Sequence, residues 1–199
     1  MTHRIVGMAP FLVAVATSIA WVQLDPPLRI QPASTLVVAG TSTLRSFECR
    51  AKTLNAKVES ATTDAVSAVL VGEKGVASVE FTVPSADLDC GNGTMNNHML
   101  KALKATEFKT IAFTLASYEM RKDGDTTRAQ MLGTLSLSGT QKSITLDATA
   151  VQGPDGTLRM TGAYQLNMKD YGIKPPTLML GTLRVGEKVT VKFDLLLKP

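Results

Sequence analysis

Aromatic residues are scarce in this chain. Phe, Tyr and Trp together make up 5% of 199 residues, so any interior must be built mainly from aliphatic side chains and Met. Histidine is scarcer still. Beyond His3 only His98 occurs, and one imidazole with no Cys, Asp or Glu set gathered near it in sequence makes no metal site. There is no Walker loop, no GxSxG elbow and no His-rich spacing. Neither cysteine has a CxxC partner, which argues against a redox role. The net charge is +4, with Lys and Arg dispersed rather than clustered, so no nucleic-acid patch is expected.

What is present begins with a targeting signal. His3 and Arg4 give a short positive start, and residues 5–24 carry no charge. Ser18-Ile19-Ala20 puts small residues where a cleavage after Ala20 requires them. Residues 1–20 therefore read as a signal peptide. The competing reading is an uncleaved anchor, because about 20 apolar residues can span a bilayer; Pro10 and the small-residue ending favour cleavage. Residues 21–33 contain Pro26, Pro27 and Pro32 and read as a linker. Residues 34–199 suit one domain, and 44% apolar content is enough for a real core. Cys49 and Cys90 both fall in the exported part. An even count there suggests a disulfide, closing a loop of about 40 residues and contributing about 2–4 kcal/mol. Two buried free thiols are the alternative.

The domain reads as a succession of strands. Apolar residues alternate with polar ones at Leu54, Ala56 and Val58, and again at Ala77, Val79, Phe81 and Val83. The pattern returns at Ile111, Phe113 and Leu115, at Met131, Leu135 and Leu137, and at Ile144, Leu146, Ala148 and Ala150. It is cleanest from Leu158 through Met160, Gly162, Tyr164 and Leu166 to Met168, and it closes the chain from Val189 to Leu197. Val66–Val71 also reads as a strand. This period of two is that of a sheet with one buried face. Turns such as Lys122-Asp123-Gly124-Asp125 are short, so neighbours are antiparallel. Eight to ten such strands make a barrel or a sandwich. Gly162, Ala148 and Ala150 leave space inside, which favours a cavity over a filled core. A membrane barrel would need aromatic girdles, and the aromatics are too few.

One stretch breaks the pattern. After Gly91 and Gly93, Thr94 can cap a helix, and Met95, Met99, Leu100 and Leu103 recur at helical spacing. A short helix is expected near 95–105, the only one of the domain, laid over the open end of a barrel or the face of a sheet.

Four ordered segments then resemble the YceI-like proteins. They are Gly40-Thr41-Ser42-Thr43-Leu44 with Phe47-Glu48-Cys49; Cys90 to Met99 with Ala102-Leu103-Lys104-Ala105 and Phe108; Gly133 to Thr140 with Ile144-Thr145-Leu146; and Asp170 to Pro176. The resemblance covers residues 34–197. It implies an all-β, lipocalin-like antiparallel barrel of about eight strands, exported to the bacterial periplasm or secreted. It also implies a carrier that holds a polyisoprenoid or similar long apolar chain, and no catalysis. Relatives often carry His-Asp-Trp where this chain has Arg45, Ser46 and Phe47, so a cation replaces the imidazole and favours an anionic or carbonyl head.

The candidate ligand-contacting residues follow. Ile111, Phe113, Leu115, Leu135, Leu137, Met160, Tyr164, Leu166 and Phe193 are the inward set, beside Leu158. Met95, Met99 and Leu103 form a helical lid. Arg45, Phe47 and Tyr171, with Lys174 near it, are rim candidates. Plain core packing is the competing reading of the apolar ones. His98 reads as a structural residue. No cofactor is expected other than a bound isoprenoid lipid or quinone. The partner is an apolar ligand, with membrane contact transient or through an uncleaved N-terminus; a homodimer stays open. A structural or stress-related periplasmic interaction protein with a filled barrel is the alternative function. Cleavage after Ala20 predicts a secreted product that begins at Trp21, read by intact mass.

Overall fold

The computed structural model describes residues 27–178 and 182–199. The expected export signal and the start of the linker lie outside the described residues. From the N-terminal side come β1 (Arg29–Ile30), β2 (Thr35–Ser42), β3 (Ser46–Ala51), β4 (Asn55–Ser60), helix α1 (Ala65–Val71), β5 (Val76–Pro84) and β6 (Leu88–Asp89). Helix α2 (Gly93–Ala102) follows, then β7 (Thr110–Asp123), β8 (Thr126–Leu137), β9 (Thr140–Gln152), β10 (Leu158–Asn167), β11 (Thr177–Leu178) and β12 (Leu183–Lys198).

All pairings are antiparallel, along the path β4-β5-β7-β8-β9-β10-β12-β2-β3-β6. The chain itself joins the two ends of that path. β3 passes through residues 52–54 into β4, and β5 passes through a single 3-10 turn, Ser85–Asp87, into β6. β3 pairs with β6, and β4 with β5, so two long kinked strands complete the wall. Counting each as one gives eight wall strands, β2, β3/β4, β5/β6, β7, β8, β9, β10 and β12. This is the lipocalin-like all-β barrel that the resemblance implies.

The polar faces point out. Arg159 pairs with Asp194 (2.6 Å) across neighbouring strands, and Gln130 donates to Asp147 (3.2 Å). Tight turns fix the register. Ser138 and Gly139 both take positive φ (49° and 79°), the backbone of a two-residue hairpin loop whose twist matches the strands.

Three features differ from the sequence reading. The first is α1, where a strand is expected over Val66–Val71. Asp64 caps its start by accepting from the Ser67 N–H (3.1 Å), and Gly72 ends it in the left-handed conformation (φ 87°). Capping and burial of Ala65, Val66 and Val69 outweigh the β-preference of four valine and leucine side chains. The second is the start of the fold. Leu28 is 2% exposed, its N–H donates to the Val58 carbonyl, and Arg29–Ile30 pairs with β12. The chain therefore enters the barrel before Ser34, filling the gap between β4 and β12. The third is α2, which spans 93–102 rather than 95–105. Asn92, not Thr94, caps it, accepting from the Met95 N–H (3.1 Å). Lys104 takes positive φ (50°), which stops the helix.

The helices serve opposite ends. α1 plugs one end: Val66 and Val69 pack with Leu28, Val58, Ala150, Leu158 and Leu197. The buried Thr127 hydroxyl donates to the Leu70 carbonyl at the helix end (3.0 Å). At the other end Leu137, Leu166, Tyr171, Ile173 and Val189 form a second cluster, with Ala102 and Leu103 of α2 against it. The Cys49–Cys90 disulfide ties α2's approach to β3, across 41 residues of chain.

Two stability measurements check this packing. Leu158 is fully buried (0% exposed) in the plugged end, so Leu158→Ala is expected to cost about 2–5 kcal/mol in a urea unfolding titration. Replacing both cysteines by serine is expected to cost about 2–4 kcal/mol, with the barrel's far-UV circular dichroism retained.

Candidate ligand-binding cavity

A barrel of eight strands has an interior just wide enough for side chains or one small ligand. Here the inward side chains leave it hollow. The enclosed space is about 680 Å³, within the span of small-molecule sites at about 300–1,000 Å³. Its wall is aliphatic, aromatic and Met, including Ile111, Phe113, Leu115, Leu135, Leu137, Met160, Tyr164, Leu166 and Phe193. Met95 and Met99 of α2 and Leu103 just after it face it from above, and Val69 of α1 from below. No residue of α2 is fully buried. Met95 and Met99 border the lumen, while Ala102 at the helix end packs against the second cluster.

The hollow depends on three glycines. Gly40 pairs across strands with Phe47, and Gly162 with Phe193. Gly133 sits beside Phe113. In each case a methyl group on the glycine would collide with the neighbouring ring. Without it the ring occupies the space over the bare glycine. Three bulky residues thus line the lumen without crossing it.

The mouth lies between the β2–β3 turn, the first half of α2 and the segment around Pro176 and Val185. Ser42, Leu44, Arg45, Asn92, Thr94 and His98 border it. Arg45 is exposed there and Phe47 lies deeper. His98 borders the cavity as well, a placement the sequence reading passed over. Tyr171 differs from expectation. It does not line the cavity; it is 2% exposed within the cluster beneath the 3-10 turn Met168–Tyr171. Its hydroxyl is buried without a hydrogen-bond partner. Burial first, then neighbouring Tyr164 and Asp170, pushes it up to about 12. Lys174, next to it in the loop, is exposed.

Other wall residues were hidden from sequence reasoning for local reasons. Register shifts between Leu115 and Ser117, so Tyr118 and Met120 turn inward where strict alternation would point Ser117 and Glu119. Leu36 and Val38 sit in a continuous apolar run with no visible phase. Val79, Phe81 and Val83 did carry the signal, since they alternate cleanly and all face the lumen.

A polar latch seats α2. Asp89 accepts from the Asn96 side chain (2.8 Å) and the Gly91 N–H (2.9 Å), and pairs with Lys52 (3.0 Å). Asn96 in turn accepts from the Cys90 N–H (2.8 Å). The Asn96 bond, the Gly91 N–H and Lys52 hold the Asp89 carboxyl down at about 2. A depressed carboxylate stabilises the fold above its ordinary pKa and loses that contribution as pH falls through the folded value. The protection of amides 91–99, taken relative to unfolded-chain exchange rates at each pH, is therefore expected to fall as pH drops from about 4 to about 2. Asp89→Asn should flatten that acid dependence.

The solved structure of Burkholderia cenocepacia BcnA superposes with a TM-score of 0.65 at 18% identity, covering 84% of this chain and 98% of that one. A polyisoprenoid-binding domain from Saccharophagus degradans, implicated in plant cell wall breakdown, gives 0.64 at 14% identity, covering 88% and 99%. The Campylobacter jejuni YceI protein gives 0.56 at 18% identity, covering 96% and 99%. At these identities the likeness is one of fold. No curated protein sequence matches. The family profile of the YceI-like domain matches residues 29–197, nearly the whole of the described barrel, and the chain belongs to the YceI-like family.

Proposed function

We propose that this protein is an exported, non-catalytic carrier that holds a long apolar chain of polyisoprenoid type inside its barrel. The cavity supports this reading most directly: about 680 Å³ of apolar space, open at one end and plugged by α1 at the other. A water-sized group fills about 30 Å³ of liquid, so the space suits a chain of about twenty carbon groups or more. Burial supplies the affinity, at about 0.8 kcal/mol per CH₂ before the ordering costs of binding. Arg45 at the mouth suits an anionic or carbonyl head that stays near water. The disulfide suits an oxidising compartment, in line with periplasmic export. The polyisoprenoid-binding character of the Saccharophagus domain and the family membership point the same way. A filled barrel serving only as a structural partner would have no use for glycines that keep three rings off its axis.

Native mass spectrometry of protein exported to a bacterial periplasm tests the reading. The expected result is one bound species of several hundred daltons, released by organic solvent. A bare polypeptide under gentle conditions would count against a carrier. Gly40→Ala supplies a second check, because the three atoms nearest the added methyl group all belong to the Phe47 ring. Displacement pushes that ring into the lumen. Bound lipid per protein is expected to fall severalfold, while the melting temperature changes by less than about 8 °C, the shift of roughly 1–2 kcal/mol.

A further inference from the structure

The two ends of the barrel differ in charge. At the plugged end the charges balance: Lys74 pairs with Glu119 (3.0 Å), Arg128 with Asp123 (2.7 Å) and Arg159 with Asp194 (2.6 Å), and exposed Arg29, Arg121, Lys122 and Lys198 are matched in number by Asp64, Glu73, Asp125 and Asp155. The connections at the mouth end expose Arg45, Lys101, Lys104, Lys142, Lys174 and Lys188. Against them stand Glu107 and Asp170. Glu187 is already paired with Lys169, Glu48 with Arg50 and Asp89 with Lys52. The mouth end therefore carries the protein's positive balance.

That end also carries an exposed apolar side chain. Leu44, at the tip of the β2–β3 turn, is 71% exposed and borders the cavity. The tip is held rigidly. The Ser42 hydroxyl accepts from the Arg45 N–H (3.2 Å), and the Thr43 N–H donates to the Arg184 carbonyl (3.0 Å). From Leu44 the apolar surface continues past Met95 and Met99 into the lumen. A ring of cations around an apolar opening matches a partner that offers both an anionic face and an apolar chain.

We propose that the mouth end docks on the surface of an anionic lipid bilayer, with Leu44 dipping below the headgroups and the surrounding cations on them. An acidic protein would satisfy the charges but leave Leu44 and the opening unmatched. A bilayer satisfies both, and it sets the lumen against the lipid layer so that a chain can pass without crossing water. This docking rests on the carrier reading for its purpose, but it is measured without cargo.

The full exported protein is mixed with vesicles of phosphatidylcholine alone, or of phosphatidylcholine and phosphatidylglycerol in equal parts. Association and amide hydrogen exchange are both read. The mixed vesicles are expected to slow exchange over residues 42–46 and 93–104, and the neutral ones to leave it unchanged. Raising salt to roughly 0.5 M should release the protein, because exposed charges are then screened. Lys101→Gln with Lys104→Gln is expected to weaken association about fivefold per charge removed. Leu44→Ser should weaken it further, and Arg29→Gln with Arg121→Gln, at the plugged end, should leave it unchanged. Equal binding to both vesicle types would overturn the proposal, since the apolar N-terminal segment would then be the anchor. Equal weakening by both charge pairs, or protection elsewhere on the barrel, would overturn it too. So would capture of an acidic protein through these cations with no protection on the mixed vesicles. Docking lost with lipid still extractable counts against docking alone; lipid absent with docking intact counts against the carrier reading alone.

Discussion

Each wall strand of a closed barrel must turn one face inward, and in this chain those faces lack the bulk to fill the space they enclose. Everything else follows from that shortfall. The inward residues are aliphatic or Met, with a few rings. The rings of Phe47, Phe113 and Phe193 take the space over Gly40, Gly133 and Gly162. An apolar void of about 680 Å³ forfeits the dispersion contacts that a packed core would make. The unoccupied barrel gives up packing energy that a well-fitting apolar molecule restores. Fold and affinity for such a molecule share one origin.

The ends of the barrel divide the remaining tasks. α1 closes one end with a dense cluster in which Leu28, Ala150 and Leu158 are almost wholly buried. α2 covers the other without being buried itself. It is held at its start by the disulfide, the Asp89–Asn96 contacts and the Asn92 cap, and at its end by Ala102 against the second cluster. Segments with few buried contacts open at the lowest free energy. The lid has no fully buried residue, and it borders the opening where Leu44 and Arg45 stand.

Much of this was legible in the residues, because a sheet with one dry face writes itself as alternation. Leu158 to Leu166 and Val189 to Leu197 announce both their strands and their inward sides. Four ordered segments placed the family. What was not legible depended on local exceptions to period two. The shift after Leu115 reverses which side chains of β7 face in. α1 is a helix made of strand-preferring residues, fixed by Asp64 and Gly72 at its ends. Arg29–Ile30 follows two prolines yet pairs with β12, because the gap beside β4 needs a strand there. Tyr171 looked like a rim residue in a loop of charged neighbours, but the 3-10 turn folds its ring beneath the surface. The cavity itself is a property of how the faces meet and has no signature in any one strand.

The most direct measurement is a crystal structure of the protein purified from its own compartment without detergent. The account predicts one continuous, elongated feature of electron density between Val69 of α1 and Met99 of α2, in contact with the flat faces of Phe47, Phe113 and Phe193. A lumen filled by rearranged side chains, or by an ordered chain of water, would contradict it.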